Sequence, residues 1–221
     1  MFNVKKRKKE IVLAAVTCVL AVVASVLTSG CSFVLNYFDY NDNMTYCINR
    51  DGGGLALVSV YDYYGDTIDV RSQIDGIPVT RVKLNGGWRE DVTKIEIYEG
   101  VESVFLDKFN NVSYLFIPYG VKDIEIHCKG LERIDLTADT DNIDLSNCTS
   151  LRSVTIPRGT GDIDLSGCTH LERVRIWEGV ERIDASAFDG CVSLKYLEVP
   201  AGIEMIGDFS WIDQIEIEEY E

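Results

Sequence analysis

Four cysteines in the second half of the chain recur at nearly equal spacing and carry the most reactive side chains in the sequence. They are Cys128, Cys148, Cys168 and Cys191. Near-equal spacing is typical of residues that hold one place in successive repeats, and we interpret these cysteines as a buried column of small apolar thiols. Two alternatives stay open. One is a Cys148–Cys168 disulfide, which export would permit. The other is a zinc site formed by His127, Cys128, Cys148, Cys168 and His170.

A series of acids follows the same repeat. It comprises Glu125, Asp144, Asp164 and Asp184. Hard cations favour clusters of oxygen atoms, so a weak calcium site is one interpretation. We favour the other, a column of solvated carboxylates screened by salt, because the acids follow the repeat and no dedicated binding loop accompanies them. We therefore predict no metal site and no cofactor.

Catalytic motifs are absent from the sequence. It contains two histidines and no HExxH, GxSxG, P-loop or paired CxxC pattern. The abundant acids recur with the repeat, which indicates architecture rather than an active site. We expect no enzymatic activity.

Large aromatic residues fall at positions where the repeat predicts contact with solvent. The candidate binding residues are Tyr98, Tyr114, Phe116 and Tyr119. Later repeats offer Trp177 and Tyr196 at comparable places. Clustered exposed aromatic side chains indicate recognition of a partner. The alternative is that residues 32–90 fold over them and bury them.

All these residues belong to one repeating unit. The units begin at Val92, Val112, Leu131, Leu151, Leu171 and Leu194, with half a unit from Ile212, and the spacings are 20, 19, 20, 20, 23 and 18 residues. Each unit has two short apolar–polar alternations separated by a turn, which predicts two short strands. A single unit cannot bury its apolar residues alone, so the units must stack. We predict a mainly β solenoid of about seven coils of ~20 residues with parallel strands.

The stretch from Ala187 to Leu194, AFDGCVSL, continues through Leu197, Val199 and Pro200. It resembles the "AF-x-GC-x-SL" unit of the BspA-like bacterial leucine-rich repeats. The stretch IDGIPVT at residues 74–80 is similar to the usual opening of that family, whereas the middle units carry DLSNC and DLSGC without the Ala-Phe pair. The resemblance implies an exported, surface-displayed solenoid of the kind often linked to adhesion or host-protein binding, and it implies no particular ligand.

The front of the chain has the order of an export signal. A basic cluster at residues 5–9 precedes an apolar run from Ile11 to Leu27. Ser29-Gly30-Cys31 resembles the end of a bacterial lipoprotein signal, whose cysteine receives the lipid after cleavage. We predict that residues 1–30 are an export signal or an uncleaved membrane anchor, with lipidation at Cys31. Residues 31–54 are then a tether, 55–91 a capping segment and 92–221 the leucine-rich-repeat solenoid.

Charge narrows the class of partner. Residues 1–30 hold five basic residues and one acid, so the rest of the chain has 16 basic and 35 acidic residues and a net charge of −19. Such a surface repels nucleic acid. We predict a membrane-anchored domain on the bacterial cell surface that binds an extracellular protein or glycan. The alternatives are an envelope spacer without a dedicated ligand and a carbohydrate-binding module.

Overall fold

The structure is a computed structural model that describes residues 36–39, 44–48, 54–60, 66–74, 76–87, 90–137, 140–212 and 214–218. The chain forms two compact units, residues 1–37 and 38–221, and the repeats lie in the second. The predicted signal and the lipidation site Cys31 lie outside the described residues. Within the described residues, no helix has the length and apolar character to cross a membrane.

Short strands dominate the described part of the chain. In chain order they are β1 (Asn36–Asp39), β2 (Met44–Ile48), β3 (Leu55–Val60), β4 (Thr67–Val70), β5 (Gln73–Ile74), β6 (Ile77–Asn85), β7 (Lys94–Ile97), β8 (Ser103–Asp107), β9 (Tyr114–Ile117), β10 (Asp123–His127), β11 (Arg133–Leu136), β12 (Asn142–Asp144), β13 (Ser153–Ile156), β14 (Asp162–Asp164), β15 (Arg173–Ile176), β16 (Arg182–Asp184), β17 (Tyr196–Pro200), β18 (Glu204–Ile206) and β19 (Gln214–Glu218). One 3₁₀ turn, Ala185–Phe188, separates β16 from β17.

Strands of successive coils pair side by side. Sheet I has the order β9-β11-β13-β15-β17-β19, and all its pairings are parallel. Sheet II contains the consecutive parallel strands β6-β8-β10-β12-β14. Two separate parallel pairs are β4–β7 and β16–β18. Successive coils stack strand beside parallel strand, with breaks in the pairing between β7 and β9 and between β14 and β16, and this stacking confirms the predicted solenoid.

The first strand of each coil begins two residues after the unit's first apolar residue. Leu151 lies before β13 because its amide donates to the carbonyl of Cys148 at 3.0 Å, closing a tight turn from the preceding coil. Leu131, Leu171 and Leu194 do the same with the cysteine three residues earlier. An amide committed to such a turn cannot join the ladder between strands, although the leucine side chain still enters the core.

The core lies inside the coils and follows the predicted alternation. In β13, Val154 and Ile156 are buried, whereas Ser153 and Thr155 are exposed. The longest unit, 23 residues, contains the inserted 3₁₀ turn that ends at the buried Phe188. The Ala-Phe pair of the family motif therefore lies in a turn that buries both side chains in the core.

Parallel pairing starts upstream of Val92. Strand β4 pairs with β7 and β6 pairs with β8, so residues 67–85 already supply two parallel strands like those of a coil. Antiparallel contacts occur in this region as well, between β2 and β3 and between β5 and β6.

Candidate binding face

The predicted aromatic residues lie on the outward side of the first strands. Tyr98 directly follows β7, Tyr114 and Phe116 are the first and third residues of β9, and Tyr119 lies in the turn after it. Their exposed fractions are 45% for Tyr98, 44% for Tyr114, 47% for Phe116 and 59% for Tyr119. The described residues between 36 and 87 do not bury these aromatic side chains, so for this part of the segment the alternative is contradicted. We call the outward surface of sheet I with these residues the aromatic face.

Parallel register places charged residues beside the aromatic ones. Tyr114 is level with Arg133, and Phe116 is level with Asp135 on the neighbouring strand. The Arg133 guanidinium lies 5.6 Å from the centre of the Tyr114 ring and donates to both oxygens of Asp135 at 3.0 Å. The Tyr114 hydroxyl donates to Asp135 Oδ2 at 2.8 Å. Three side chains are thus held together at the surface before any partner binds.

This network sets the protonation of its members. Burial raises the pKa of Asp135, but hydrogen bonds from Arg133 and Tyr114 and the guanidinium charge outweigh burial, so the net shift is downward. The hydrogen bond to Asp135 raises the pKa of the Tyr114 phenol. At neutral pH the face therefore presents an ionised carboxylate, a guanidinium and a protonated phenol in fixed positions.

The same combination recurs further along sheet I. Arg173 lies over the Tyr196 ring at 4.9 Å, and Arg175 lies over the Trp177 ring at 4.7 Å. Glu198 joins the two arginines, at 3.2 Å from Arg173 and 3.4 Å from Arg175. Cations packed on aromatic rings therefore occur at both ends of the face.

Sequence reasoning did not find these arginines. Arg133 and Arg173 occupy the third position of their units, as Tyr114 and Tyr196 do, and the parallel register places all four in one row with Ser153 between the two arginines. The signal was present in the sequence as outward positions of the repeat. The sequence alone does not say which residues of neighbouring strands are level with each other, and the register of the sheet supplies this.

The acidic column has a structural role that the repeat did not reveal. The Oδ1 atoms of Asp144, Asp164 and Asp184 accept a hydrogen bond from the backbone amide two residues later, at 2.9, 2.8 and 2.9 Å. Asp208 does the same with Ser210 at 2.9 Å. Each Asp-x-Ser segment is therefore an Asx turn, and the first three of them end the strands β12, β14 and β16. These aspartates recur because the turn recurs.

The cysteines form the buried column that their spacing predicts. The four thiols are unbonded and buried. Cys148 donates its S–H to the Ile126 carbonyl at 3.0 Å, and Cys168 donates to that of Leu145 at 3.2 Å. Burial raises the pKa of Cys148 and of Cys191 to about 11. The column consists of protonated thiols, and the Cys148–Cys168 disulfide does not form in this structure.

The two histidines lie apart from that column. His170 is exposed, and its Nδ1 atom lies 2.6 Å from the Thr149 carbonyl. His127 ends β10 and is partly exposed. In the described part of the chain, imidazole and thiol groups do not come within metal-ligand spacing of one another. The zinc site built from His127, His170 and the cysteines is therefore contradicted.

Comparison with known proteins agrees with this architecture. The sequence model of the BspA type leucine rich repeat region matches residues 102–218 in six copies, which is more than half of the chain. A leucine rich repeat protein of T. pallidum has 20% identity, with 76% of this chain and 86% of that chain covered and a TM-score of 0.50. That likeness shows the fold.

Two further solved structures are more distant. One is a leucine rich cell surface protein from Faecalibacterium prausnitzii, with 16% identity, 84% and 77% coverage of this chain and that chain, and a TM-score of 0.29. The other is a leucine-rich repeat protein from Bacteroides ovatus, with 14% identity, 86% and 72% coverage and a TM-score of 0.35. A comparison with curated protein sequences gives no match. By its six matched repeats and its parallel coils, the chain belongs to the BspA type leucine rich repeat family.

Proposed function

We propose that this chain is a membrane-tethered extracellular domain that binds a protein partner through the aromatic face. The observation that carries the proposal is the exposure of Tyr98, Tyr114 and Phe116 on adjoining coils. Large aromatic side chains that serve only the core of a fold are mostly buried. Clustered exposed aromatic residues are typical of binding surfaces instead.

The composition of the face favours a protein as the partner. Trp, Tyr and Arg are the residues most enriched at energetic centres of protein interfaces. Here Tyr114 is fixed by Arg133 and Asp135, so less side-chain freedom is lost on binding. The face also offers charges of both signs within a chain that is acidic overall. A partner with mixed charge and an apolar centre would match it.

The tether is supported by the sequence of the first 31 residues. A basic cluster, an apolar run and Cys31 have the order of a lipoprotein signal. Cys31→Ala should release the protein from the membrane or leave its precursor uncleaved. Recovery of membrane-bound protein with residues 1–30 intact would instead identify an uncleaved anchor. The binding role needs neither catalysis nor a cofactor, and the net charge of the chain disfavours nucleic acid.

The binding proposal is tested by a Tyr114→Ala, Phe116→Ala double variant of the full-length chain in detergent. The matched control is Arg182→Ala, Glu204→Ala, which changes two exposed residues that are level with each other on β16 and β18, outside sheet I. Surface proteins and a glycan array are screened with the wild-type chain, and the dissociation constant is measured for each variant.

We expect a protein ligand that the control retains and that the double variant binds at least about 30-fold more weakly, which corresponds to about 2 kcal/mol. Melting temperatures show whether both variants remain folded. If a glycan binds and its binding depends on the same two residues, the ligand is a carbohydrate and not a protein. Equal binding by both variants would reject the face as the site and favour the spacer.

A further inference from the structure

A group of three potential metal ligands lies on the outer surface of sheet II, away from the aromatic residues of sheet I. Glu125 and His127 are alternate residues of β10, and Asp144 ends the neighbouring strand β12. Parallel register places Glu125 level with Asp144. One ligand atom from each of the three side chains lies within 4.8 Å of the other two.

The contact between His127 and Asp144 has the geometry of two ligands rather than of a hydrogen bond. Nε2 lies 3.3 Å from Asp144 Oδ2, yet the pair is not aligned for a hydrogen bond. With metal bonds of 2.0–2.1 Å, adjacent ligand atoms stand about 3.0–3.4 Å apart and point at the metal instead of at each other. The observed separation falls in that range.

His127 Nε2 lacks any other partner in the described structure. The atom has almost no surface that water can reach and makes no hydrogen bond, although the side chain as a whole is 26% exposed. The Phe105 ring packs edge-on against the imidazole with centroids 6.2 Å apart. A polar nitrogen shielded from water without a hydrogen bond is destabilising unless something binds it.

Asp144 is prepared to act as a ligand by its turn. Its Oδ1 atom accepts the Ser146 amide at 2.9 Å, which fixes the carboxylate, and its Oδ2 atom faces His127. Glu125 is exposed and can rotate to close the remaining distance. The two carboxylates border a shallow pocket of about 320 Å³ that Phe105, Asp123 and Asn142 also line. The pocket leaves the two carboxylates open to water, whereas His127 does not line it.

We propose that Glu125, His127 and Asp144 bind one divalent transition-metal ion of the Zn²⁺ class. One imidazole nitrogen and two carboxylate oxygens are hard-to-borderline donors, and imidazole selects transition ions over Ca²⁺. The alternative is a simple imidazolium–carboxylate ion pair, which needs no metal and does not involve Glu125. The site is independent of the proposed partner face, so either proposal can fail without the other.

The test uses the untagged full-length chain in detergent, stripped with a chelator and titrated with Zn²⁺ by calorimetry. We expect one site, weakened at least about tenfold by His127→Gln and by Glu125→Gln, since even changes outside the ligand shell cost 10–100-fold. His170→Gln, which changes the exposed histidine, and Asp164→Asn, which changes the equivalent position of the next coil, are the matched controls and should bind as the wild type does. Because Glu125 is exposed, its substitution removes a ligand without disturbing the core.

Co²⁺ binding supplies a second readout. An N/O site gives weak visible bands and no thiolate charge-transfer band, whereas binding by cysteines gives a strong one. Absence of Zn²⁺ binding, unchanged affinity in Glu125→Gln or His127→Gln, or a thiolate band would overturn the proposal. Ca²⁺ competing as well as Zn²⁺ would also overturn it, because the imidazole would then not contribute.

Discussion

Asp164 offers a measurement that separates two opposing contributions of the acidic column. Its Oδ1 atom accepts the Ser166 amide at 2.8 Å, and it is level with Asp144 on the adjacent parallel strand. Asp164→Ala removes both the hydrogen bond and the charge. Asp164→Asn removes the charge and keeps an oxygen acceptor in the same place. The two variants therefore isolate the turn from the repulsion.

The magnitudes follow from the geometry. Loss of a side-chain acceptor for a backbone amide costs about 0.5–2 kcal/mol, typically about 1. Two carboxylates on strands ~4.8 Å apart repel by about 0.8 kcal/mol in water, and physiological salt reduces this to about half. Asp164→Ala should therefore destabilise the fold by about 0.5 kcal/mol at physiological salt. Asp164→Asn should stabilise it by a few tenths of a kcal/mol.

The assay is urea unfolding in chelator-treated buffer at pH 7, at low and at high salt. The increase in the free energy of unfolding caused by Asp164→Asn should shrink as the salt concentration rises. The difference in that free energy between the Ala and the Asn variant should stay near about 1 kcal/mol. If Asn destabilises the protein as much as Ala does, the carboxylate charge and not the turn is what matters. A difference between Ala and Asn that disappears at high salt would lead to the same rejection.

Four further perturbations test the coil itself. Ile156→Asp should lower the free energy of unfolding in urea by at least about 3 kcal/mol, because it buries an unpaired charge, and a loss under 1 kcal/mol would contradict the packing. Gly130→Ala should destabilise more than Gly120→Ala, because its Cβ would lie 1.8 Å from a backbone carbonyl of the previous coil, whereas an alanine at Gly120 would have open space and would meet only the backbone strain of φ +91; equal melting temperatures would refute this. Cys168 should resist alkylation until the protein unfolds, since burial raises its pKa, and rapid modification of the native protein, mapped by mass spectrometry, would refute the buried column. The hydrogen bond from the backbone amide two residues later lowers the pKa of Asp184. Its contribution to stability is therefore present above the unfolded pKa of about 3.9 and is lost as the pH falls through the folded value. Asp184→Asn should make the free energy of unfolding fall less steeply with decreasing pH, and an unchanged slope would contradict this.

The periodicity of the sequence predicted which side chains are buried far better than it predicted which residues lie beside each other on neighbouring strands. Ile156 and Cys168 were placed in the core because their positions recur in every coil, and the structure buries both. Periodicity within one unit says which side of a strand a residue occupies. It says less about which residue of the next coil lies beside it, and so the pairing of Tyr114 with Arg133 emerged only from the register.

The candidate sites show the same limit. The exposure of Tyr98, Tyr114 and Phe116 followed from outward strand positions, whereas the Asx turns did not. Solvated carboxylates and aspartates that accept hydrogen bonds in turns would show the same spacing in the sequence. The hydrogen bond that Asp164 accepts from the Ser166 amide is what distinguishes the second role from the first. His127 was grouped with the cysteines because imidazole and thiolate are both zinc ligands, yet Cys128 is buried, whereas His127 is an outward residue at the end of β10. Its neighbours are the outward residues of β10 and β12.

Pairing between successive coils also has a kinetic consequence. Arg133 pairs with Ser153 and Ser153 with Arg173, 20 residues apart, and the other pairings of sheet I close loops of similar length. The entropy of closing such a loop is about 2.7 kcal/mol apart from a constant, and it is nearly the same for every added coil because it changes only with the logarithm of the loop length. Folding that starts at any adjacent pair of coils can therefore spread in equal steps. A chain with one coil more or fewer would meet the same barrier at each step, so the number of repeats can change without slowing the growth of the fold.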